Sequence, residues 1–163
     1  MLLALRRTSA LVLAALALAG IVALLVSGAS AQDPATSTLT FKTLDKGSTF
    51  EHVRNTKAGR RANSTGDVIV FTNPLADGSR NVVGTLYAAC TTTKGARNYL
   101  RSTTTCTGVI DLRDGTLSLQ ANSKPGVPTT HGAVTGGTGP YANTRGVFIA
   151  DDRSGDLTIT LAD

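Results

Sequence analysis

The stretch GAVTGGTGPYANTRG, residues 132–146, places five glycines within fifteen residues. A phosphate-binding P-loop needs a lysine after its glycines and a helix behind them, and a dinucleotide-binding loop needs a third spaced glycine. Neither feature is present, because Pro140 and Tyr141 follow Gly139 and the next segment, RGVFIADD, has the pattern of a β-strand. Glycine adopts positive φ at no steric cost and proline restricts φ, so we predict a tight turn between two strands.

Outward from this turn, short runs of β-forming residues are separated by Gly, Asn, Asp and Pro. The chain shows no long amphipathic helix pattern and no repeat of fixed period. Several short strands at fairly regular spacing are typical of an all-β sandwich or barrel. We predict eight strands, at residues 39–44, 67–72, 81–92, 106–112, 116–121, 129–135, 145–151 and 156–161.

The predicted strands alternate between an apolar and a more polar face. Leu86, Ala88 and Cys90 share one face of the strand at 81–92, and Cys106 and Ile110 share one face of the strand at 106–112. Eight such strands closed into a barrel would leave an interior wide enough for side chains or for one small ligand.

The N-terminal residues 1–31 have the pattern of a secretory signal peptide. Arg6 and Arg7 precede an apolar run at 11–26, and the sequence Ala-Ser-Ala ends at Ala31. We therefore predict cleavage between Ala31 and Gln32. The alternative is an uncleaved membrane anchor, since the apolar run is near the length of a membrane span. Residues 32–38 are expected to be a flexible lead-in and residues 39–163 the β-barrel domain, with the protein secreted, either extracellular or associated with the cell envelope.

Export makes the two cysteines informative. An exported chain enters an oxidising compartment, where an even number of cysteines predicts a disulfide, here Cys90–Cys106. A bridge across about 16 residues stabilises by roughly 3 kcal/mol in the chain-entropy model. The cysteines and the two histidines are too far apart in sequence for a zinc site, so no metal and no cofactor is expected.

The charge of the chain indicates which partners to expect. Removal of Arg6 and Arg7 leaves 14 basic against 11 acidic residues, so the net charge falls from +5 to +3. The densest basic segment, HVRNTKAGRR at 52–61, could meet a polyanion or a membrane surface, or could be a solvated loop. The chain has no Trp and few aromatic residues among its charges. We therefore expect no nucleic-acid partner and no membrane partner after cleavage.

Three segments together resemble a known family. VTGGTGPYANTRGVF, 134–148, resembles the TGGTG-x-Y/F-x-x-x-x-G signature shared by plant allene oxide cyclases and dirigent proteins. GDVIVFTNPLADG, 66–78, and VVGTLYAACTTT, 82–93, resemble two earlier strands of the same family, in the same order. The resemblance implies an eight-stranded antiparallel β-barrel of calycin type with an apolar cavity, often assembled as a homotrimer.

The resemblance also implies candidate pocket residues, which are Asn73, Leu86, Cys90 and Arg145. Asn73 and Cys90 match an asparagine and a cysteine of the allene oxide cyclases, and Arg145 matches an arginine of dirigent proteins. The family's carboxylate belongs on the first strand, but STLTFKTL at 37–44 contains no Asp or Glu, and Lys42 stands nearest its place. A disulfide would also remove the thiol of Cys90. No catalytic residue is assigned.

Other interpretations of these residues stay open. Asn73 precedes a proline and is also what a plain turn residue would be. Arg145 could be a surface arginine paired with Asp151 or Asp152. Asp45 or Glu51 could reach the barrel mouth in place of the missing carboxylate, and His131 and Tyr141 are read as an outward strand residue and a residue packed over the turn.

Three functions are consistent with the sequence. The first is a secreted β-barrel that binds a small apolar molecule in its cavity. The second is an isomerase or cyclase, allene oxide cyclase-like or dirigent-like, that folds a reactive lipid-like or polyketide-like substrate mainly by positioning it. The third is a non-catalytic structural or surface-interaction barrel. An open cavity is favoured by small inward residues, which are Gly84, Ala88, Gly108 and Ala121.

Overall fold

The computed structural model describes residues 36–55 and 64–162 of the chain. The predicted signal peptide, its cleavage site at Ala31 and Gln32, residues 32–35 of the lead-in and residues 56–61 of the basic segment lie outside this part. In the described part, no helix is both long and apolar enough to cross a membrane. The first strand begins at Thr36, within the predicted lead-in, because these residues pair with the last strand of the sheet, starting with Thr36 opposite Ala162.

One antiparallel sheet contains all the strands of the described residues. The strands run in the order β1-β9-β8-β7-β6-β5-β4-β3-β2, and β1 also pairs with β3. This extra pairing closes a barrel of eight strands, and β2 is a ninth strand on the edge of β3, which confirms the predicted all-β barrel. The strands are β1 (Thr36–Thr43), β2 (Thr49–Val53), β3 (Val68–Ala76), β4 (Val82–Lys94), β5 (Thr103–Leu112), β6 (Gly115–Ser123), β7 (Thr129–Gly137), β8 (Arg145–Asp151) and β9 (Asp156–Ala162).

The edge of β3 is shared by two partners. β2 pairs with residues 68–72 of β3, whereas the end of β1 pairs with Leu75 and Ala76. Pro74 lies between these two pairings, where its lack of an N–H group breaks no ladder bond, and its carbonyl accepts the N–H of Leu44 at 3.0 Å. β3 therefore continues through the proline, and Asn73 is a strand residue opposite Leu86 rather than the turn residue that one interpretation expected.

A buried carboxylate joins the end of β2 to the start of β3. Asp67 is 2% exposed and accepts the backbone N–H of Asn55 at 2.7 Å and that of Ser64 at 2.9 Å. Nε2 of His52 lies 3.4 Å from the same carboxylate. Burial raises the pKa of Asp67, but the two backbone hydrogen bonds and the nearby His52 outweigh it and lower that pKa below its usual value.

One end of the barrel is filled by its own side chains. The connections β3–β4, β5–β6 and β7–β8 lie at this end, because consecutive antiparallel strands turn at alternate ends. The turn at 138–144 is one of them: Gly139 has φ +61° and Tyr141 packs against the core. The predicted strand–turn–strand is thus confirmed. The side chains buried beneath these turns are Leu75, Ile110, Leu117, Val134, Ile159 and Leu161.

The opposite end carries the disulfide. Cys90 of β4 and Cys106 of β5 face each other directly in the ladder, with Cα atoms 4.0 Å apart, and their sulfur atoms are bonded. Directly opposite residues on adjacent antiparallel strands are near neighbours, so their side chains can meet on one face of the sheet. The predicted Cys90–Cys106 disulfide is confirmed. The connections β1–β2, β4–β5, β6–β7 and β8–β9 lie at this same end.

Candidate ligand cavity

A cavity of about 470 Å³ occupies the disulfide end of the barrel. It exists because the inward residues of β4, β5 and β6 are small here, whereas leucines and isoleucines fill the other end. Ala88, Gly108 and Ala121 line it, and a methyl group at Gly108 would already touch the side chains of Leu86 and Ala88. Its larger apolar walls are Ile69, Phe71, Leu86, Leu119, Phe148 and Leu157.

The mouth of the cavity is built from four separate connections. Asp45 comes from β1–β2, Tyr99 from β4–β5, Pro125 from β6–β7 and Asp152 from β8–β9. Backbone hydrogen bonds join these connections: the N–H of Asp152 donates to the carbonyl of Pro128 at 2.8 Å, and that of Thr43 donates to Gly155 at 2.8 Å. The rim is thereby held to the strands by backbone contacts.

Four aspartates line the cavity, and their carboxylates differ in partners and direction. Asp151 and Asp156 alternate with the inward Ala150 and Leu157, so their carboxylates lie on the outer side of the sheet. Asp151 accepts the N–H groups of Ser154 and Arg153, which lower its pKa. Hydrogen bonds from Ser154 and Lys42 lower the pKa of Asp156, whose carboxylate lies 2.9 Å from Nζ of Lys42. The other two, Asp45 and Asp152, have no side-chain hydrogen bond or ion pair within the described residues.

Asp152 differs from the other carboxylates in its electrostatics. Burial, followed by the charge of the adjacent Asp151, raises the pKa of Asp152. Its ionised form is therefore held in a place where a second negative charge and partial loss of water both oppose it. A positive charge beside it would offset the repulsion from Asp151 and favour the ionised form of Asp152.

The predicted pocket residues are only partly brought together. Asn73, Leu86 and Cys90 line the cavity, the first two as direct partners across β3 and β4. Arg145 does not line it, so its place in the candidate pocket is corrected. Gly146 and Phe148 alternate to the inside of β8, which turns Arg145 outward, and its guanidinium donates to the carbonyl of Thr144 at 3.0 Å rather than to Asp151 or Asp152.

The other candidates from the sequence lie in different places. Asp45 reaches the mouth, whereas Glu51 lies on the outer face of the sheet, beside a groove of about 530 Å³ that Val70, Tyr87 and Val109 also line. His131 is exposed on the outer face of β7. Lys42, at the place of the family's carboxylate, points away from the interior and pairs with Asp156.

Sequence reasoning missed Asp152, Tyr99 and Phe50 as cavity residues. Phe50 belongs to β2, on the same face as Phe71, and remains 71% exposed, since β2 extends past the closed barrel. Tyr99 lies in a short 3₁₀ turn that the amide side chain of Asn98 caps at 3.0 Å. One sequence pattern pointed to acidic residues at a strand end: Asp151 and Asp152 directly precede the turn residues RSGD, 153–156.

The side chains around the cavity limit its chemistry. Cys90 and Cys106 form part of the wall, and the described residues include no free cysteine, so the wall offers no thiolate nucleophile. The described lining contains no His, Lys or Arg. What the cavity can supply is an apolar enclosure, hydroxyl groups such as those of Tyr99 and Ser123, an amide at Asn73, and carboxylates at the mouth that stabilise positive charge or accept a proton.

Known structures share this barrel. Pyocyanin demethylase is 23% identical, with a TM-score of 0.63 over 78% of this chain and 100% of its own. The pterocarpan synthase dirigent protein PsPTS1 is 17% identical, with a TM-score of 0.55 over 80% of this chain and 94% of its own. The Diels-Alderase AbmU from Streptomyces koyangensis is 14% identical, with a TM-score of 0.57 over 78% of this chain and 64% of its own.

Comparison with protein-family models and with curated proteins gave no match. The structural similarity nevertheless confirms, at the level of fold, the resemblance that the three sequence segments carry. The chain has the antiparallel β-barrel fold that dirigent proteins share with barrel-type Diels-Alderases.

Proposed function

We propose that the protein is an exported barrel that binds one small, largely apolar molecule in the cavity at its disulfide end. The observation that carries the proposal is the cavity of about 470 Å³, walled by Ile69, Phe71 and Phe148 and open at a polar rim. Sites for small molecules are concave, mostly apolar, and about 300–1,000 Å³ in volume, with a few polar groups that orient the ligand.

The uneven filling of the interior favours binding over a purely structural role. Large aliphatic residues such as Ile110, Leu117 and Ile159 are fully buried at one end. At the other end, Ala88 and Gly108 hold open a space that larger residues would fill. Protein interiors are otherwise closely packed, and empty apolar volume lowers stability, so retained space of this size is consistent with an occupant.

Export is part of the proposal. The Cys90–Cys106 disulfide is of the kind that persists in oxidising compartments, and the sequence before Gln32 has the pattern of a signal peptide. A binding barrel outside the cytoplasm would meet its ligand in the medium or in the cell envelope.

A cyclase or isomerase is the second candidate, favoured by the carboxylates at the mouth. A reactive apolar substrate confined between these walls would be held in one folded conformer, and Asp45 or Asp152 would stabilise positive charge that develops at its outer end. Two of the structural neighbours bear the names of a Diels-Alderase and a pterocarpan synthase dirigent protein, which supports this candidate at the level of the shared scaffold.

The test measures binding of the neutral fluorescent dye N-phenyl-1-naphthylamine to the wild type and to a variant whose cavity is blocked. Ala88→Phe puts a ring into the cavity from β4, whereas Ala133→Phe puts the same ring on the exposed face of β7. We expect the wild type and Ala133→Phe to bind the dye equally and Ala88→Phe to bind it at least about tenfold more weakly, a difference of about 1.4 kcal/mol. Circular dichroism checks that both variants fold.

Two results would count against the proposal. One is a wild-type protein that gives no saturable increase in dye fluorescence. The other is a folded Ala88→Phe variant that binds the dye as tightly as Ala133→Phe does.

A further inference from the structure

We infer that the cavity selects organic cations: molecules with an apolar body that lies inside the barrel and a quaternary or protonated amine that lies at the mouth. The inference rests on the proposed function and specifies its ligand class. It is carried by the charges and the exposed aromatic rings that line the same cavity.

The charge of the lining is one-sided. Four aspartates, Asp45, Asp151, Asp152 and Asp156, line the cavity, and no Lys, Arg or His does so within the described residues. Asp151 and Asp156 alternate with the inward Ala150 and Leu157, so the charge at the mouth itself comes from Asp45 and Asp152. In that same part of the chain, the single ion pair made by these four is that of Asp156 with Lys42, whose side chain is 48% exposed. Among residues 36–55 and 64–162, Asp45 and Asp152 therefore have no cationic partner.

The position of Asp152 makes the mouth favour a cation over an anion. It stands beside Asp151, and burial together with that neighbouring charge raises its pKa. An anion at the mouth would add to the repulsion, whereas a cation would offset it. Both Asp45 and Asp152 are exposed to solvent, so this preference for cations is expected to weaken as salt screens the two charges.

Two exposed aromatic rings point independently to a ligand of this class. Phe50 and Tyr99 line the cavity, and they are 71% and 43% exposed. The face of an aromatic ring attracts an organic cation, and it does so while covering apolar surface, which a neutral or anionic ligand cannot exploit in the same way. Carboxylates and aromatic rings at one mouth are the combination that recognises alkylated amines.

A metal ion fits this site poorly. Hard cations such as Ca²⁺ need about six to eight oxygen ligands close together. No group of three or more His, Cys, Asp or Glu side chains within residues 36–55 and 64–162 is close enough to hold a metal. The apolar wall directly below the mouth would also leave a hydrated ion without ligands on one side.

The test is competition between molecules that differ only in their head group. Bound N-phenyl-1-naphthylamine is displaced at pH 7 by decyltrimethylammonium, by decanol or by decanoate, each below its micelle-forming concentration. We expect decyltrimethylammonium to compete at least about tenfold better than decanoate, with decanol between them. The preference should shrink as salt rises, because exposed parts of the charge are screened within about 10 Å at 0.1 M ionic strength.

Substitutions at the mouth test whether its carboxylates cause the preference for cations. Asp45→Asn with Asp152→Asn should lower the advantage of decyltrimethylammonium over decanol several-fold and leave decanol binding unchanged. Asp114→Asn is the matched control, since this exposed residue lies in the β5–β6 turn at the closed end. It should leave the competition order as in the wild type.

The outcomes separate this inference from the proposed function. If the dye and decanol both fail to bind, the cavity proposal itself fails. If decanol competes but decanoate competes as well as decyltrimethylammonium, or if the double variant keeps the full cation preference, the cavity binds ligands and the inference about charge is wrong.

Discussion

Replacing Gly132 with alanine would put a methyl group where the Phe148 ring lies. The two residues are direct partners in the β7–β8 ladder, and a Cβ at position 132 would overlap the edge of that ring and stand 2.6 Å from the carbonyl oxygen of Gln120. The φ of Gly132 is not positive, so its backbone conformation itself accepts alanine. Any loss of stability would therefore come from packing alone.

The expected magnitude follows from two opposing effects. In an ordinary strand, alanine is more stable than glycine by roughly 0.5–1 kcal/mol. Overpacking a filled site costs about 1–3 kcal/mol. Since Phe148 is only 7% exposed and Gln120 contributes a backbone atom, we expect overpacking to dominate and Gly132→Ala to lower the free energy of unfolding by about 1–2 kcal/mol.

The assay is urea unfolding followed by circular dichroism, with Gly78→Ala as the matched control. A Cβ at Gly78 meets nothing within 4 Å, and its φ is not positive. This control should be neutral or stabilised by up to about 1 kcal/mol. Phe148→Leu in both backgrounds completes a double-mutant cycle, and the cost of Gly132→Ala should fall by about 1 kcal/mol once the ring is gone.

A Gly132→Ala variant as stable as the wild type would refute the reasoning. So would an equal cost in the Phe148→Leu background, because the ring would then not be the obstacle. Since Phe148 also lines the cavity, Gly132→Ala should in addition weaken binding of N-phenyl-1-naphthylamine, whereas Gly78→Ala should not.

Two further predictions concern stability. Removing the disulfide with Cys90→Ala and Cys106→Ala should lower the free energy of unfolding by about 3 kcal/mol, since the bridge joins residues 16 apart. Urea unfolding with and without reductant measures this loss. A loss below about 1 kcal/mol would contradict the prediction. Asp67→Asn should cost about 1.5–3 kcal/mol at pH 7, because the carboxylate accepts the N–H groups of Asn55 and Ser64. Burial raises the pKa of Asp67, but these bonds lower it overall, so its stabilisation is present above the unfolded pKa of about 3.9 and is lost as the pH falls through the lower folded value. Urea unfolding at pH 7 and pH 3 should show the two proteins converging in acid, and a difference independent of pH would argue against this account.

What the sequence by itself determined is local. The alternation of apolar and polar residues identified the inward faces of β4 and β5, and with them the cross-strand cysteines, because a strand turns successive side chains to opposite faces. The glycines at 136–139 and Pro140 marked a turn, and Gly139 is the one among them whose positive φ favours glycine, since Gly136 and Gly137 end β7. These signals were enough for an all-β sandwich or barrel with a disulfide between two strands, and the antiparallel barrel itself was implied by the family resemblance.

What only the tertiary structure decided is how distant segments meet. β2 is five residues long and was missed, since its place depends on the edge of β3 before Pro74, which β1 leaves free. The mouth combines Asp45, Tyr99 and Asp152 from connections far apart in sequence. They become neighbours only when β1 pairs with β3 and closes the barrel, and no local pattern encodes that pairing.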